Sequence, residues 1–231
     1  MVFKNFFKDF LITDICTIYA AHELFTKVYL EYERTLSKSI DDLQSNKILK
    51  PMANKCYNYI LMDANILYKL IDTFDTKGLF LRKVTLKDMD MFRQAIIYIG
   101  KGTKDRKYTH FIESVLLLTG RRSIAEAGPR HFKMVETWKQ GSGVVIIETL
   151  CNSNKYLSLS RESAMIKSAG KNITNSMNSS QYGLMKNNWS YTEIKIFGEM
   201  LLYFSLKQCI INRPTPQFPK DFLQKILKKN L

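Results

Sequence analysis

Ala95-Ile96-Ile97-Tyr98-Ile99-Gly100-Lys101-Gly102 decides how this chain is read. An apolar run this short, ended by two glycines, fits a buried strand better than a helix. Beyond it come Lys104, Arg106, Lys107 and His110, then an apolar helical pattern from His110 to Leu118, closed by the basic loop Gly120-Arg121-Arg122-Ser123. A strand passing through a glycine turn into a helix gathers backbone amides, cations and a phenol in one place, where helix amides stabilise an anion. The glycines are expected to let the backbone approach a ligand closely. On these residues alone, a plain turn with solvated charges explains the stretch equally well.

Working outward, Tyr57-Asn58-Tyr59-Ile60-Leu61-Met62-Asp63 reads as an earlier strand, and Val144-Val145-Ile146-Ile147 as a short central one. Pro129 suits the first turn of a helix carrying Phe132, Val135 and Trp138 on one face, with Trp138 read as core. Ser160 is expected to cap the next helix and to place Glu162 in its first turn. Asn172 to Asn188 is Asn- and Ser-rich and reads as a loop, and Tyr191 to Ile211 returns to a helical pattern broken by Arg213-Pro214-Thr215-Pro216. Ile12, Ile15, Tyr19, Leu24, Val28, Leu30 and Leu36 give the first fifty residues a helical period.

The expected architecture is α+β, a small central β-sheet sandwiched by helices. A helical extension at 1–52 and another at 190–231, with a basic tail, flank a domain at 53–189, which carries an insertion at about 64–93 without catalytic spacing. The 231 residues bear a net charge of +14 and a pI near 9.5, which favours a polyanionic partner, nucleic acid or an anionic surface. Cys16, Cys56, Cys151 and Cys209 are scattered without metal-ligand spacing, so reduced thiols and an intracellular place, nuclear or cytoplasmic, are expected. Phe3, Phe6, Phe7 and Phe10 open the chain, but Asp9 and Asp14 interrupt it too early for a membrane span or a signal peptide.

Tyr98-Ile99-Gly100 resembles the second half of the signature of the GIY-YIG nucleases, and Arg106 with His110 falls where that family carries a phosphate-binding Arg and a nearby His. Tyr59 matches the first-motif tyrosine. Ser160-Arg161-Glu162 looks like the metal-binding glutamate, and Thr174-Asn175 like the late asparagine. The wording is most similar to the nuclease domain of ankyrin-repeat and LEM-domain endonucleases, which also insert a segment between the two tyrosine motifs. The first motif departs from the pattern, with Tyr57-Asn58-Tyr59 standing for Gly-Ile-Tyr. In a regular strand both tyrosines share a face, and the residues alone leave the choice of base between them open.

The resemblance implies a metal-dependent endonuclease acting on DNA, structure-directed toward branched or damaged duplex. Tyr59, Tyr98, Arg106, His110, Glu162 and Asn175 would form its catalytic set. Gly100, Lys101, Lys104, Lys107, Arg121 and Arg122 would contact the nucleic acid, and Glu162 would hold one Mg²⁺ or Mn²⁺. A non-catalytic nucleic-acid-binding module on the same scaffold is the alternative. No ankyrin-like period or LEM segment is recognisable ahead of the domain, so targeting is expected from a protein partner. The chemistry suits the residue types: a carboxylate for a hard cation, a guanidinium fork for phosphate oxygens and a phenol for proton transfer.

Overall fold

The computed structural model describes residues 22–47, 50, 55–74, 82–175 and 189–223. The phenylalanine-rich opening, residues 75–81 of the expected insertion, most of the Asn/Ser-rich stretch and the end of the basic tail lie outside these residues.

The architecture is α+β, built on a three-stranded antiparallel sheet. Strand β1, Cys56–Asp63, runs between β2, Ile96–Gly102, and β3, Val144–Ser153. All eight residues of β1 are buried, because helices cover both faces of the strand. On one face Tyr57, Tyr59 and Leu61 pack with Phe111, Val115, Met134 and Trp138. These come from α4, Arg106–Leu118, and α5, Pro129–Lys139. The opposite face, with Ile60 and Met62, meets a larger core shared by α1 (His22–Ser45), α2 (Ala64–Ile71), α3 (Leu86–Ala95), α6 (Lys155–Ala169) and α7 (Tyr191–Asn212).

Strand β3 runs to Ser153, well past the expected stop at Ile147, since its pairing with β1 carries polar Glu148 and Thr149 into the ladder opposite Tyr59 and Asn58. Helix α6 begins at Lys155, not at Ser160. Asn154 caps it by accepting from the amides of Tyr156 and Leu157 at 3.0 and 2.9 Å, which places Ser160, 1 % exposed, inside the helix. On α5 the inward face is His131, Met134, Val135 and Trp138; Phe132 is 39 % exposed, correcting its expected place beside Val135. On α1 the buried stripe is Val28, Tyr32, Leu36 and Ile40, and Leu30 points outward.

Helix α7 belongs to the core. Gly198 lets it touch α6: a Cβ there would lie 1.9 Å from the Ala164 carbonyl oxygen. Beside this contact the Ser168 hydroxyl donates to Glu199 at 2.5 Å, and Arg93 of α3 pairs with the same carboxylate. Arg161 of α6 grips Glu33 of α1 through two bonds of 3.0 and 2.5 Å. After α7 the chain returns to the free edge of β3, where Gln217 exchanges both backbone bonds with Val144 at 2.8 and 3.0 Å. Phe222 then stacks on Phe111 with ring centroids 4.8 Å apart. Among the described residues no helix is long and apolar enough to cross a membrane.

Candidate active site

The pairing of β1 with β2 sets Tyr57 opposite Gly102 and Tyr59 opposite Gly100. The glycines make room for these rings: a Cβ on Gly100 would stand 2.5 Å from Tyr59 Cζ and 2.7 Å from Tyr98 Cε1, and one on Gly102 3.0 Å from Tyr57 Cζ. Accommodation of a protein side chain, rather than approach to a ligand, therefore explains their lack of a Cβ. The two tyrosines of β1 then diverge in use. Tyr57 donates to the Lys104 carbonyl at 2.6 Å and accepts from the Lys107 amide at 3.4 Å, fastening the turn between β2 and α4. Tyr59, 1 % exposed, has its hydroxyl 2.8 Å from His110 Nε2.

Helix α4 starts at Arg106, ahead of the expected start near His110, after a turn in which the Arg106 amide bonds the Thr103 carbonyl and Lys104 takes a left-handed φ of 50°. One consequence is that Arg106 and His110 lie one turn apart on the same helix face. Arg106 is exposed and His110 buried. The rings of Tyr98 and His110 meet edge to face at 5.1 Å.

Glu162 comes to this group from the middle of α6, where the helix dipole gives it no reason to be acidic. Burial pushes its carboxyl up to about 7, against the opposing pull of the Lys101 charge and backbone amide and of Arg106. Burial also raises Tyr59 and Tyr98, with Glu162 adding to both, while Arg106 and Arg130 oppose the rise. The structure thus brings Tyr59, Tyr98, Arg106, His110 and Glu162 into one electrostatic neighbourhood.

Asn175 occupies a different position, on the open edge of β2. Its Oδ1 accepts from the Ile99 amide at 2.9 Å and its Nδ2 donates to the Ile99 carbonyl at 2.6 Å, so one side chain acts as a neighbouring strand. Thr174 supplies two more bonds to the Ile97 carbonyl. Of the basic residues, Lys104, Arg106 and Arg121 are exposed and Lys101 is half-buried. Lys107 pairs with Glu148 and lies over the Tyr57 and Tyr108 rings, and Arg122 pairs with Glu113 at 3.1 Å and donates to the Glu126 carbonyl.

Three residues the sequence reading passed over belong here. Arg130 Nε donates to His110 Nδ1 at 3.2 Å, and its guanidinium carbon lies 5.2 Å from the Tyr98 ring centre. His131, 1 % exposed, accepts the Gly128 amide at Nδ1 and holds Nε2 2.7 Å from Glu113 Oε2. The Gly128-Pro129 helix start was the signal available for both, since it fixes where the next two side chains enter the fold. Burial and the Arg130 charge hold His110 down at about 4, and the same causes lower His131. Burial works to raise Glu113, but Arg122 and the two imidazoles outweigh it and keep the carboxyl low.

Two donor sets near this group could face a cation. His110 Nδ1, the Glu113 carboxylate and His131 Nε2 lie within 4.8 Å of one another. That set does not fit, because Arg130 already donates to His110 Nδ1 and Arg122 to the carboxylate, leaving positive charge where a cation would sit. Glu162 does fit a hard divalent cation: its charge is disfavoured by burial and would be restored by the ion, and one protein carboxylate leaves room for waters and phosphate oxygens.

A family model, the LEM-3-like GIY-YIG domain, matches residues 56–224, from the start of β1 to just beyond Phe222. The chain belongs to this family. Membership makes it an endonuclease, a hydrolase of phosphodiester bonds. The human ankyrin repeat and LEM domain-containing protein 1 is 23% identical over 186 residues, covering 78% of this chain and 30% of that protein. The chain therefore spans under a third of the relative's length. No solved structure matches it.

Proposed function

We propose that this GIY-YIG chain is a metal-dependent endonuclease that hydrolyses DNA, chosen by branched or damaged structure rather than by base sequence. The observation that carries the reading is that Tyr59 of β1 lies against His110 of α4 and Tyr98 of β2, with Glu162 of α6 and Arg106 of α4 in electrostatic reach of both phenols. Glu162 would hold Mg²⁺ or Mn²⁺, which when bound supplies charge neutralisation for the phosphoryl oxygens and the leaving 3′ oxygen. Arg106, exposed at the first turn of α4, offers its planar fork to the same phosphate.

Tyr59, once its own phenolic proton has left to solvent, is the group assigned to take the proton of the attacking water, and Tyr98 orients that water. Tyr57 is less suited because its hydroxyl already holds the Lys104 carbonyl. Asn175 acts indirectly, by keeping the strand that carries Tyr98 in place. Lys101, Lys104 and Arg121 follow the DNA backbone, while Lys107 and Arg122 mainly tie the fold.

Structure-directed choice is read from a sequence with only two tryptophans and no reading-helix motif, which gives no sign of base-specific recognition. Trp138 is core, and Trp189 packs edge-on against Tyr32 and Phe197. Delivery by a protein partner, in the nucleus or cytoplasm, completes the reading. Incubating the chain with supercoiled plasmid and branched oligonucleotides, with and without Mg²⁺ or Mn²⁺, tests it. Cuts at branches that need the metal are expected; binding with no cleavage under any metal would favour a non-catalytic module.

A further inference from the structure

His110 stands between two partners that restrict where its proton can be. Its Nδ1 receives the Nε–H of Arg130 at 3.2 Å, and its Nε2 faces the Tyr59 hydroxyl at 2.8 Å. A guanidinium only donates, so Nδ1 must present a lone pair, and a neutral ring then carries its hydrogen on Nε2. We propose that Arg130 is a positioning residue that locks His110 in the Nε2–H tautomer, so that His110 donates to Tyr59 and steadies the phenolate left once Tyr59 has released its own proton to solvent, the form whose oxygen can accept the proton of the attacking water. This rests on the reading above that Tyr59 handles the proton in hydrolysis.

The competing arrangement is present in the same cluster and loses on geometry. Glu113 Oε2 is 3.7 Å from His110 Nδ1, beyond a hydrogen bond. Had it been the partner, an accepting carboxylate would demand Nδ1–H, and the bare Nε2 would take the Tyr59 proton instead. Glu113 is engaged elsewhere, by Arg122 at 3.1 Å and His131 Nε2 at 2.7 Å. The His131 ring is itself fixed by the Gly128 amide on Nδ1. Arg130 is further held in place over the Tyr98 ring, so one side chain touches the partners of Tyr59 on two sides.

The tautomer also directs the phenolic hydrogen. With Nε2–H pointing at the Tyr59 oxygen, the hydrogen of Tyr59 must turn away, toward the Tyr98 hydroxyl with which Tyr59 interacts. Burial and the Arg130 charge keep His110 from taking a second proton near neutral pH. Imidazole therefore serves as a fixed donor rather than as a relay.

Nitrogen-15 long-range correlation spectra of the full chain at pH 7, without DNA or metal, read the tautomer directly. The expected wild-type spectrum shows His110 as Nε2–H alone. Arg130→Met should release it to a mixture or to Nδ1–H facing Glu113, and Arg130→Lys, which keeps a donor-only group, should retain part of the Nε2–H form. In cleavage assays Arg130→Met should lower kcat by about 10- to 100-fold with little change in KM or melting temperature. An Nδ1–H ring in the wild type overturns the proposal, as does an Arg130→Met chain that keeps both the tautomer and the rate. A variant that loses DNA affinity while keeping the tautomer makes Arg130 a phosphate contact and also overturns it. If the wild-type chain cuts no DNA, the nuclease reading falls, and the spectra alone decide the Arg130 assignment.

Discussion

Gly100 and Tyr59 face each other across the β1–β2 pair so closely that a methyl group on Gly100 would stand 2.5 Å from the Tyr59 ring. Gly100→Ala must therefore displace a fully buried tyrosine that bonds His110, at a cost of about 1–3 kcal/mol. Gly102→Ala, whose nearest contact would be 3.0 Å, should cost less. Urea denaturation of both variants checks the order, and equal loss would contradict it.

Tyrosine hydroxyl deletions separate the two rings of β1. Tyr57→Phe leaves the Lys104 carbonyl without its donor and should cost about 1 kcal/mol of stability while lowering cleavage less than tenfold. Tyr59→Phe should lower the rate on the order of 10²–10⁴-fold. Single-turnover rates with melting temperatures for both variants decide; the reverse ranking would move the proton-transfer role to Tyr57.

Asn175→Asp keeps the acceptor for the Ile99 amide but replaces the donor to the Ile99 carbonyl with negative charge. A loss of about 1–3 kcal/mol is expected, with faster hydrogen exchange at Ile99. Cleavage should fall through movement of the Tyr98 strand, with DNA affinity retained. Unchanged exchange at Ile99 together with lost cleavage would give Asn175 a direct chemical role instead.

What was legible in the sequence was local. The run around Tyr98 announced a strand because apolar residues and glycines mark one without outside help. What was not legible depended on partners far along the chain. Glu148 looks unlike a strand residue until β1 pairs with it. Ser160 looks like a cap because Ser commonly is one, but Asn154 stands where the strand ends and takes the role first. Asn175 sits in a stretch whose composition says loop, and its bonds to Ile99 cross 76 positions. For Arg130 and His131 the Gly128-Pro129 helix start marks where they enter the fold, but only the packing of α5 against α4 brings them to His110.

The half-buried carboxyl of Glu162 sets a pH dependence for the metal-free protein. Its folded pKa, about 7, lies above the ordinary 4.5, so the folded state holds this proton more tightly than the unfolded chain does. The stability it contributes is present below about pH 4.5 and is lost as pH rises through about 7. In chelator, Glu162→Gln should be more stable than wild type at pH 8 by about 1–2 kcal/mol, limited by solvent screening of a half-buried group, and equal to it at pH 4. Thermal melts across this range check it, and a variant less stable at pH 8 would contradict it.

The most direct test of the central claim is single-turnover cleavage of a branched DNA by wild type and Glu162→Gln in Mg²⁺, with DNA binding measured on the same samples. The account predicts that wild type cuts in Mg²⁺ and not in excess chelator, while Glu162→Gln binds the DNA with similar affinity and hardly cuts it. Wild-type cutting in excess chelator, or a Glu162→Gln variant that cuts at the full rate, would contradict it.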